Sequence, residues 1–241
     1  MNNGITWSPV FEKEDTVSAG TIAVCQADPR IIWVGTGEAT ARNSVTIGDG
    51  VYRSSDAGRT WEHMGLTDTR HISRIVIHPR DPDTVFVAAQ GHLWGPNEER
   101  GVYKTTDGGQ TWSRVLYLNP STGIADLAID PEDGETLYAA AWDHQRFPFY
   151  FYSGGPGSGL YKSADGGTTW TLVAFGAAQN EQARFVAAHP YDCNLLFLAT
   201  WGGRLLSSDD GGATWSDAEV VNSLDADNVW VFWKASLVFP E

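Results

Sequence analysis

The residues that could do chemistry are concentrated in three segments, 37–49, 91–100 and 142–158, which separate strand-like runs. Each segment combines carboxylates with arginine, histidine or aromatic side chains. Two carboxylates on opposite sides of a cleft can hydrolyse a glycoside, because one protonates the leaving group while the other activates water or attacks the sugar. The candidate catalytic residues are Glu38, Glu98, Glu99 and Asp143. Their spacing singles out no pair, so the sequence assigns none of them a catalytic role.

The same segments contain side chains that suit binding without catalysis. Aromatic rings beside arginines and carboxylates can stack on sugars or hold a peptide. The predicted ligand-binding residues are Arg42, His92, Trp94, Arg100, Trp142, His144, Arg146 and Tyr150. The alternative is that many of these aromatic rings fold back to cover the loops or to line a central channel. For the cluster as a whole, we predict a face that binds a glycan or a polypeptide.

Other site chemistries have weaker support in the sequence. His71, His92 and His144 lack the spacing of metal ligands, so we predict no metal site. No glycine-rich phosphate loop lies between a strand and a helix, and there is no nucleophile elbow. We therefore expect no cofactor.

The charge balance limits the classes of partner. The formal net charge is −14, which repels phosphate backbones and anionic membranes, so we expect no nucleic-acid partner. No apolar run has the length of a membrane span, so membrane insertion is not expected, and the first residues show no signal-peptide pattern. Cys25 and Cys193 lie too far apart in sequence to suggest a disulfide framework.

A repeat runs through the chain and must position these segments. Four segments, 54–61, 105–112, 163–170 and 208–215, share the pattern (S/T)-x-D-x-G-x-T-W, and residues 2–7 form a degenerate copy. The tryptophans stand at positions 7, 61, 112, 170 and 215. Periods of about 40–50 residues are typical of β-propeller blades.

The rest of each repeat predicts a four-stranded antiparallel blade with strands a, b, c and d from the centre outward. Two apolar strands joined by a Pro- and Asp-rich turn precede a short strand, and the fourth strand begins at the tryptophan. The predicted fold is therefore an all-β propeller in one domain, 1–241. The predicted complete blades are 21–66, 71–118, 123–175 and 182–220.

The number of blades depends on the two ends of the chain. Residues 227–241 together with 1–11 can form a fifth blade, and the resulting closed ring hides both edges. The alternative is an open propeller whose blade edges pair with another copy.

The repeated motif has a structural explanation that needs no catalysis. It lies on the c–d turn, where glycine tolerates a positive φ, aspartate accepts backbone N–H groups and tryptophan covers the turn. Four equivalent copies on separate blades argue against one active site. The residues assigned this structural role are Asp56, Gly58, Trp61, Asp107, Gly109, Trp112, Asp165, Gly167, Trp170, Asp210, Gly212 and Trp215.

The motif resembles that of the Asp-box, or bacterial neuraminidase repeat, superfamily, which includes sialidases, family 74 glycoside hydrolases and sortilin-type receptor domains. In these proteins the box is a structural turn away from the ligand face. The segments 34–38, 48–52, 92–100 and 153–161 are similar to bacterial sortilin-like propeller proteins, many of which are described as glycosyl hydrolases. The resemblance implies an extracytoplasmic location, whereas the sequence itself indicates no compartment.

In the predicted topology the b–c and d–a connections share one face, here called the loop face, opposite the Asp-box turns. Length variation falls in the b–c loops, which is where repeat proteins commonly bind ligands. Three hypotheses follow. The first is a non-catalytic scaffold that binds a glycan or polypeptide, the second a glycoside hydrolase and the third a self-assembling propeller module.

Overall fold

The computed structural model describes residues 5–42, 44–174, 183–189, 191–200 and 204–217. These residues form four antiparallel sheets and one short 3-10 turn at Thr67–Thr69, and the described part of the chain contains no α-helix. The all-β prediction is confirmed.

Each sheet follows the order of the chain from its inner to its outer strand. Blade 1 consists of β1 (Ala19–Val24), β2 (Ile32–Thr36), β3 (Val51–Ser54) and β4 (Glu62–His63). Blade 2 consists of β5 (Ile72–Ile77), β6 (Val85–Ala89), β7 (Gly101–Thr105) and β8 (Ser113–Leu116). Blade 3 consists of β9 (Thr122–Ile129), β10 (Leu137–Arg146), β12 (Gly159–Ser163) and β13 (Thr171–Ala174), with β11 (Phe151–Ser153) paired to the far end of β10. Blade 4 consists of β14 (Ala183–His189), β15 (Asp192–Thr200), β16 (Leu205–Ser208) and β17 (Ser216–Asp217).

These sheets confirm the prediction of four-stranded antiparallel propeller blades. The predicted fifth blade stays a prediction, because residues 227–241 lie outside the described residues. Of its other part, residues 5–11 are described and contain no strand.

The second strand of each blade is packed on both sides, which explains its continuous apolar sequence. In β6 all five residues are buried. Consecutive blades share a hydrophobic core, so that Trp33 of blade 1 packs with Ile75 and Val87 of blade 2. Phe86 and Leu127 belong to the equivalent core between blades 2 and 3, and Tyr138 and Val186 to that between blades 3 and 4.

The Asp-box turns have the same hydrogen bonds in each blade. In blade 2 the Asp107 carboxylate accepts hydrogen bonds from the Thr111 N–H at 2.9 Å and the Thr111 hydroxyl at 2.6 Å. The Thr105 hydroxyl donates to the same carboxylate at 2.7 Å and accepts the Gly109 N–H at 2.9 Å. Gly109 has a φ of 95°, a conformation that favours glycine. These carboxylates therefore close a turn.

A basic side chain on strand c links three of the blades to a turn of the next blade. Lys104 lies 5.2 Å from the ring centroid of Phe86 and donates to the Gly166 carbonyl oxygen at 2.8 Å. Lys162 repeats this arrangement with the ring of Tyr138 and the carbonyl oxygen of Gly211. In blade 1, Arg53 lies over the Trp33 ring and pairs with Asp83 of blade 2. The contacts fix neighbouring blades at the face opposite the loop face.

Candidate functional site

The long b–c loops of blades 1, 2 and 3 pack together in a small hydrophobic core of their own. Ala41, Leu93 and Trp142, one from each blade, are buried against one another, with Val45 and Phe151 beside them. Because the loops share this core, the loop face is a continuous, supported surface.

Arg100 joins the loops beneath that surface. Its guanidinium is fully buried and donates hydrogen bonds of 2.8 Å to the carbonyl oxygens of both Ser121 and His92. The Arg100 Nη1 atom also lies 3.4 Å from Nδ1 of His144. Burial lowers the pKa of Arg100 to about 10, and the nearby Asp143 carboxylate opposes this shift. Arg100 was predicted to bind ligand, whereas in this structure it holds the loops of blades 2 and 3 together.

Two further predicted residues are also buried. Trp142 stacks on His144 with 4.2 Å between ring centroids and donates from Nε1 to the Ser153 hydroxyl at 3.0 Å. Burial lowers the pKa of His144 well below its usual range, so the ring is neutral. Arg184 of strand β14 lies 4.5 Å from the Trp142 ring centroid. These side chains form the support of the loop face and lie beneath its surface.

A pocket of about 220 Å³ opens between the loops of blades 1 and 2. Its walls combine apolar and polar groups, which suits a ligand with both apolar faces and hydroxyl groups. The lining residues are Val45, Ile47, Arg70, His71, His92, Leu93, Trp94, Gly95 and Pro96. Trp94 is 54% exposed at this pocket, so its ring is accessible to a ligand. We call this the Trp94 pocket.

The histidines of the Trp94 pocket differ in their surroundings. His71 is buried, and burial together with His92 and Arg70 lowers its pKa to about 4. His92 is half-buried, with Nε2 at 3.0 Å from the Asp68 carbonyl oxygen and 3.9 Å from the Glu99 carboxylate. Near neutral pH His71 is an uncharged wall of the pocket.

A second pocket of about 220 Å³ lies where the innermost strands of all four blades reach the loop face. We call it the channel-mouth pocket. Its polar walls are provided mainly by Glu38, Ser73, Gln90 and Arg184. Glu38 forms an ion pair with Arg42, whose Nε atom donates at 2.6 Å, so the carboxylate is charge-compensated.

An aromatic hairpin projects from the loop of blade 3. The rings of Phe147 and Tyr150 stack with 4.5 Å between centroids, and Phe149 is 98% exposed. The base of the hairpin is fixed, because the Arg146 N–H donates to the Leu93 carbonyl oxygen at 2.9 Å and its guanidinium lies over Phe151. The hairpin therefore presents exposed rings on a fixed base.

The candidate catalytic carboxylates lie in different surroundings. Glu98 is exposed beside Tyr117 and Arg114, near the outer strand of blade 2; burial and the Glu98 carboxylate together raise the pKa of Tyr117. Asp143 is buried, and burial raises the pKa of its carboxyl although Arg100 and the Gly157 N–H act in the opposite direction. Glu38 lines the channel-mouth pocket. Glu99 is half-buried near His92. Of the four candidates, only Glu38 lines the Trp94 pocket or the channel-mouth pocket.

Within the described residues, no group of three or more His, Cys, Asp or Glu side chains is placed to hold a metal ion. Nor does that part of the chain contain a helix long and apolar enough to cross a membrane.

Several pocket residues were missed by the sequence prediction. Ser73 and Arg184 are the second residues of β5 and β14, and Gln90 directly follows β6, all at the loop face, but each lies in an apolar run that suggests only packing. Val45 and Ile47 form apolar walls of the Trp94 pocket. The position of the strand ends in the blade would have identified the first three.

The family model described as "Sortilin, neurotensin receptor 3" (Sortilin-Vps10) matches residues 49–153. A xyloglucanase of Hypocrea jecorina is 23% identical over 220 residues, which covers 90% of this chain and 22% of that protein. A Paenibacillus xyloglucanase is 27% identical over 172 residues, with coverage of 63% and 16%. The chain thus spans about a fifth of the length of the curated relatives it matches.

Solved structures show the same fold. An ancestral GH74 enzyme superimposes with a TM-score of 0.64 at 17% identity, over 86% of this chain and 25% of that chain. The GH74 enzyme of Niastella koreensis gives a TM-score of 0.61 at 24% identity, with coverage of 81% and 28%. At these identities the similarity identifies the fold alone.

Proposed function

Because this chain belongs to the Asp-box β-propeller superfamily, we propose that it is a glycan-binding propeller whose loop face holds a neutral polysaccharide. The Trp94 pocket carries the proposal. It joins an exposed indole ring to polar groups in a volume suited to a sugar residue, and indole rings stack on the C–H faces of sugars. An extracytoplasmic location is part of the proposal.

Electrostatics favour an uncharged ligand. The chain has a net charge of −14, which disfavours a polyanion. One arginine of the loop face, Arg42, is compensated locally by its ion pair with Glu38. Xyloglucan, the polysaccharide in the names of the relatives, is neutral and is the first ligand to test.

The test is calorimetric titration of the folded protein with xyloglucan oligosaccharides, followed by cellulose- and mannan-derived oligosaccharides. Trp94→Ala is expected to weaken binding by about tenfold or more, since truncating one buried aromatic contact commonly removes over 1 kcal/mol. The matched control is Tyr191→Ala, because Tyr191 is an exposed aromatic residue in the a–b turn of blade 4, opposite the loop face. Absence of binding to all neutral glycans would contradict the proposal and direct attention to peptide ligands.

A second candidate is glycoside hydrolysis, favoured by the names of the relatives. Of the four candidate carboxylates, only Glu38 lines the Trp94 pocket or the channel-mouth pocket, and its side chain is partly exposed, so it is the one to test. A hydrolase requires a second carboxylate across the cleft. Reducing-sugar release that Glu38→Gln abolishes, while Glu98→Gln has no effect, would establish this function and replace the scaffold proposal.

Self-assembly is the remaining hypothesis. Light scattering of the purified protein tests it directly, because assembly through open blade edges predicts a mass above that of the 26.3 kDa chain.

A further inference from the structure

The innermost strand of each blade contains one extra residue at the same place, close to the loop face. In blade 2, Ile72 pairs with Ala89 and Arg74 with Ala88, so Ser73 between them is the residue of a β-bulge. The equivalent residues of blades 1, 3 and 4 are Gly20, Ala125 and Arg184. All four line the channel-mouth pocket. Because a bulge redirects a side chain, the same local irregularity in four blades builds the wall of one pocket.

The small bulge residues leave room in this pocket. A Cβ atom at Gly20 would lie 2.4 Å from the carbonyl oxygens of both Gly37 and Ile72, so the backbone of blade 1 approaches closely and excludes a side chain there. Ala125 adds a single methyl group in blade 3. The resulting volume of about 220 Å³ suits one sugar ring.

Gln90 provides a buried polar group that the protein leaves unused. Its main-chain N–H donates to the His71 carbonyl oxygen at 2.9 Å, which fixes the residue directly after β6. Gln90 is 6% exposed and lines the pocket, yet its side-chain amide makes no hydrogen bond within the part of the chain that the structure describes. Its amide atoms are not among the fully enclosed ones, so the amide opens into the pocket. Burial of an amide without hydrogen bonds is unfavourable, and a ligand that bonds to it removes this cost.

The other polar walls define the chemistry of the ligand. The Ser73 hydroxyl donates to the Ile124 carbonyl oxygen at 2.6 Å, so its oxygen is left to accept. The Glu38 carboxylate also accepts, the Arg184 guanidinium donates, and the Gln90 amide does both. An ammonium ligand would face a guanidinium, and a carboxylate ligand would face a carboxylate. Hydroxyl groups both donate and accept without charge, so the walls suit an uncharged polyhydroxy compound.

We propose that the channel-mouth pocket is a second sugar subsite, which holds one uncharged sugar residue through hydrogen bonds to the Gln90 amide. The Trp94 pocket holds the neighbouring part of the same glycan, so the inference rests on the proposed function. The two pockets share a wall, because Gln90 bonds to the main chain of His71 and His71 lines the Trp94 pocket.

The experiment follows the side-chain amide resonances of Gln90 by NMR, assigned by their absence in Gln90→Met. The full chain is titrated with glucose, xylose and galactose, and then with xyloglucan oligosaccharides. We expect the Gln90 resonances to shift at saturation in the parent protein and in Trp94→Ala. Gln90→Met should weaken oligosaccharide binding about fivefold to tenfold in calorimetry, because the amide hydrogen bonds are lost.

Two further variants make the test specific, and urea unfolding shows that each is folded. The matched control is Gln110→Met, because Gln110 is an exposed glutamine of the Asp-box turn of blade 2, opposite the loop face. Its affinity should equal that of the parent protein. Ala125→Leu fills the pocket without removing a hydrogen bond and should weaken binding as much as Gln90→Met.

The outcomes separate this subsite from the proposed function. Binding that Trp94→Ala weakens, while Gln90→Met and Ala125→Leu leave it unchanged, would overturn the subsite and retain the Trp94 pocket. Shifted Gln90 resonances, with an affinity that Trp94→Ala leaves unchanged, would support the subsite and overturn the role of the Trp94 pocket. Absence of binding to all of these sugars by the folded protein would overturn both.

The free protein tests whether the chain fills its own pocket. The segment 229–239 is mainly apolar, and apolar side chains would leave the Gln90 amide without hydrogen bonds, so a sugar suits the pocket better. We expect the Gln90 amide protons to exchange rapidly with water when no sugar is present. Slow exchange under these conditions would assign the pocket to a segment of this chain, such as 175–182 or 218–241, and overturn the proposal.

Discussion

The Nη1 atom of Arg100 donates a 2.8 Å hydrogen bond to the carbonyl oxygen of Ser121, and so ties the long loop of blade 2 to the entry of blade 3. A buried guanidinium can serve this role because its several donors satisfy carbonyl groups that face inward from different loops. The loop face depends on this residue although no ligand can reach it in this structure.

Replacement of Arg100 by methionine is expected to lower the free energy of unfolding by about 3 kcal/mol, because buried carbonyl oxygens lose their donors. Arg100→Lys should not restore stability, since one ammonium cannot span the same acceptors. Urea unfolding measures both changes. The control is Arg42→Met, which removes an exposed ion pair and should change stability by less than about 1 kcal/mol. Equal effects at the two positions would contradict the assigned role.

The tryptophans of the Asp boxes make two kinds of hydrogen bond, and this difference is testable. Trp112 donates to the carbonyl oxygen of Met64 in the preceding blade, whereas Trp170 donates to Gly167 in its own turn. Replacement of either by phenylalanine removes one bond and should cost about 1 kcal/mol. Hydrogen exchange should accelerate in β4 in Trp112→Phe but not in β8, the equivalent outer strand, in Trp170→Phe, because only the Trp112 bond crosses between blades. Acceleration in both variants would show that the ring, rather than the bond, holds the blades together.

The strands could be predicted because each blade repeats the same turn and the same apolar strands. The assignment of a strand in one repeat was therefore supported by the equivalent segments of the other three repeats. The loops have no such repetition. Arg100, Trp142 and His144 are polar or aromatic residues in segments rich in Gly and Pro, which suggests exposure. They are buried because loops from three blades share a core, a contact between distant segments that the local pattern does not contain.

The hairpin formed by β10 and β11 illustrates the same limit. The run 147–152 alternates little in polarity and was predicted as loop, yet Arg146 pairs with Phe151 in a two-stranded extension of the sheet. Its anchor is the Leu93 carbonyl oxygen in the neighbouring blade, which sequence alone does not place nearby.

The pH dependence of stability should reflect His71. Its folded-state pKa is about 4, below the usual 6.5, because the ring is buried. As pH falls from 6.5 towards 4 the unfolded chain takes up a proton that the folded protein excludes, so stability decreases in this window. Urea unfolding between about pH 7 and about pH 4.5 should show the decrease.

His71→Gln should flatten the profile in part, because His144 is shifted in the same direction and keeps its own contribution. The Asp-box carboxylates, with pKa values of about 2, titrate below this range. If the free energy of unfolding of His71→Gln decreases with falling pH as steeply as that of the parent protein, His71 is not the cause of the decrease.

Phe11 should contribute measurably to the stability of blade 1, although it lies in a segment without a strand. Its ring makes edge-to-face contacts with Tyr52 and Trp61, at 5.1 and 5.0 Å between centroids. Phe11→Ala is expected to lower the free energy of unfolding by about 1–2 kcal/mol, through lost burial and two aromatic contacts. The matched control is Ile5→Ala in the same segment, where the side chain is exposed and little should change. An unaltered urea midpoint in Phe11→Ala would mean that residues 7–11 leave blade 1 in solution.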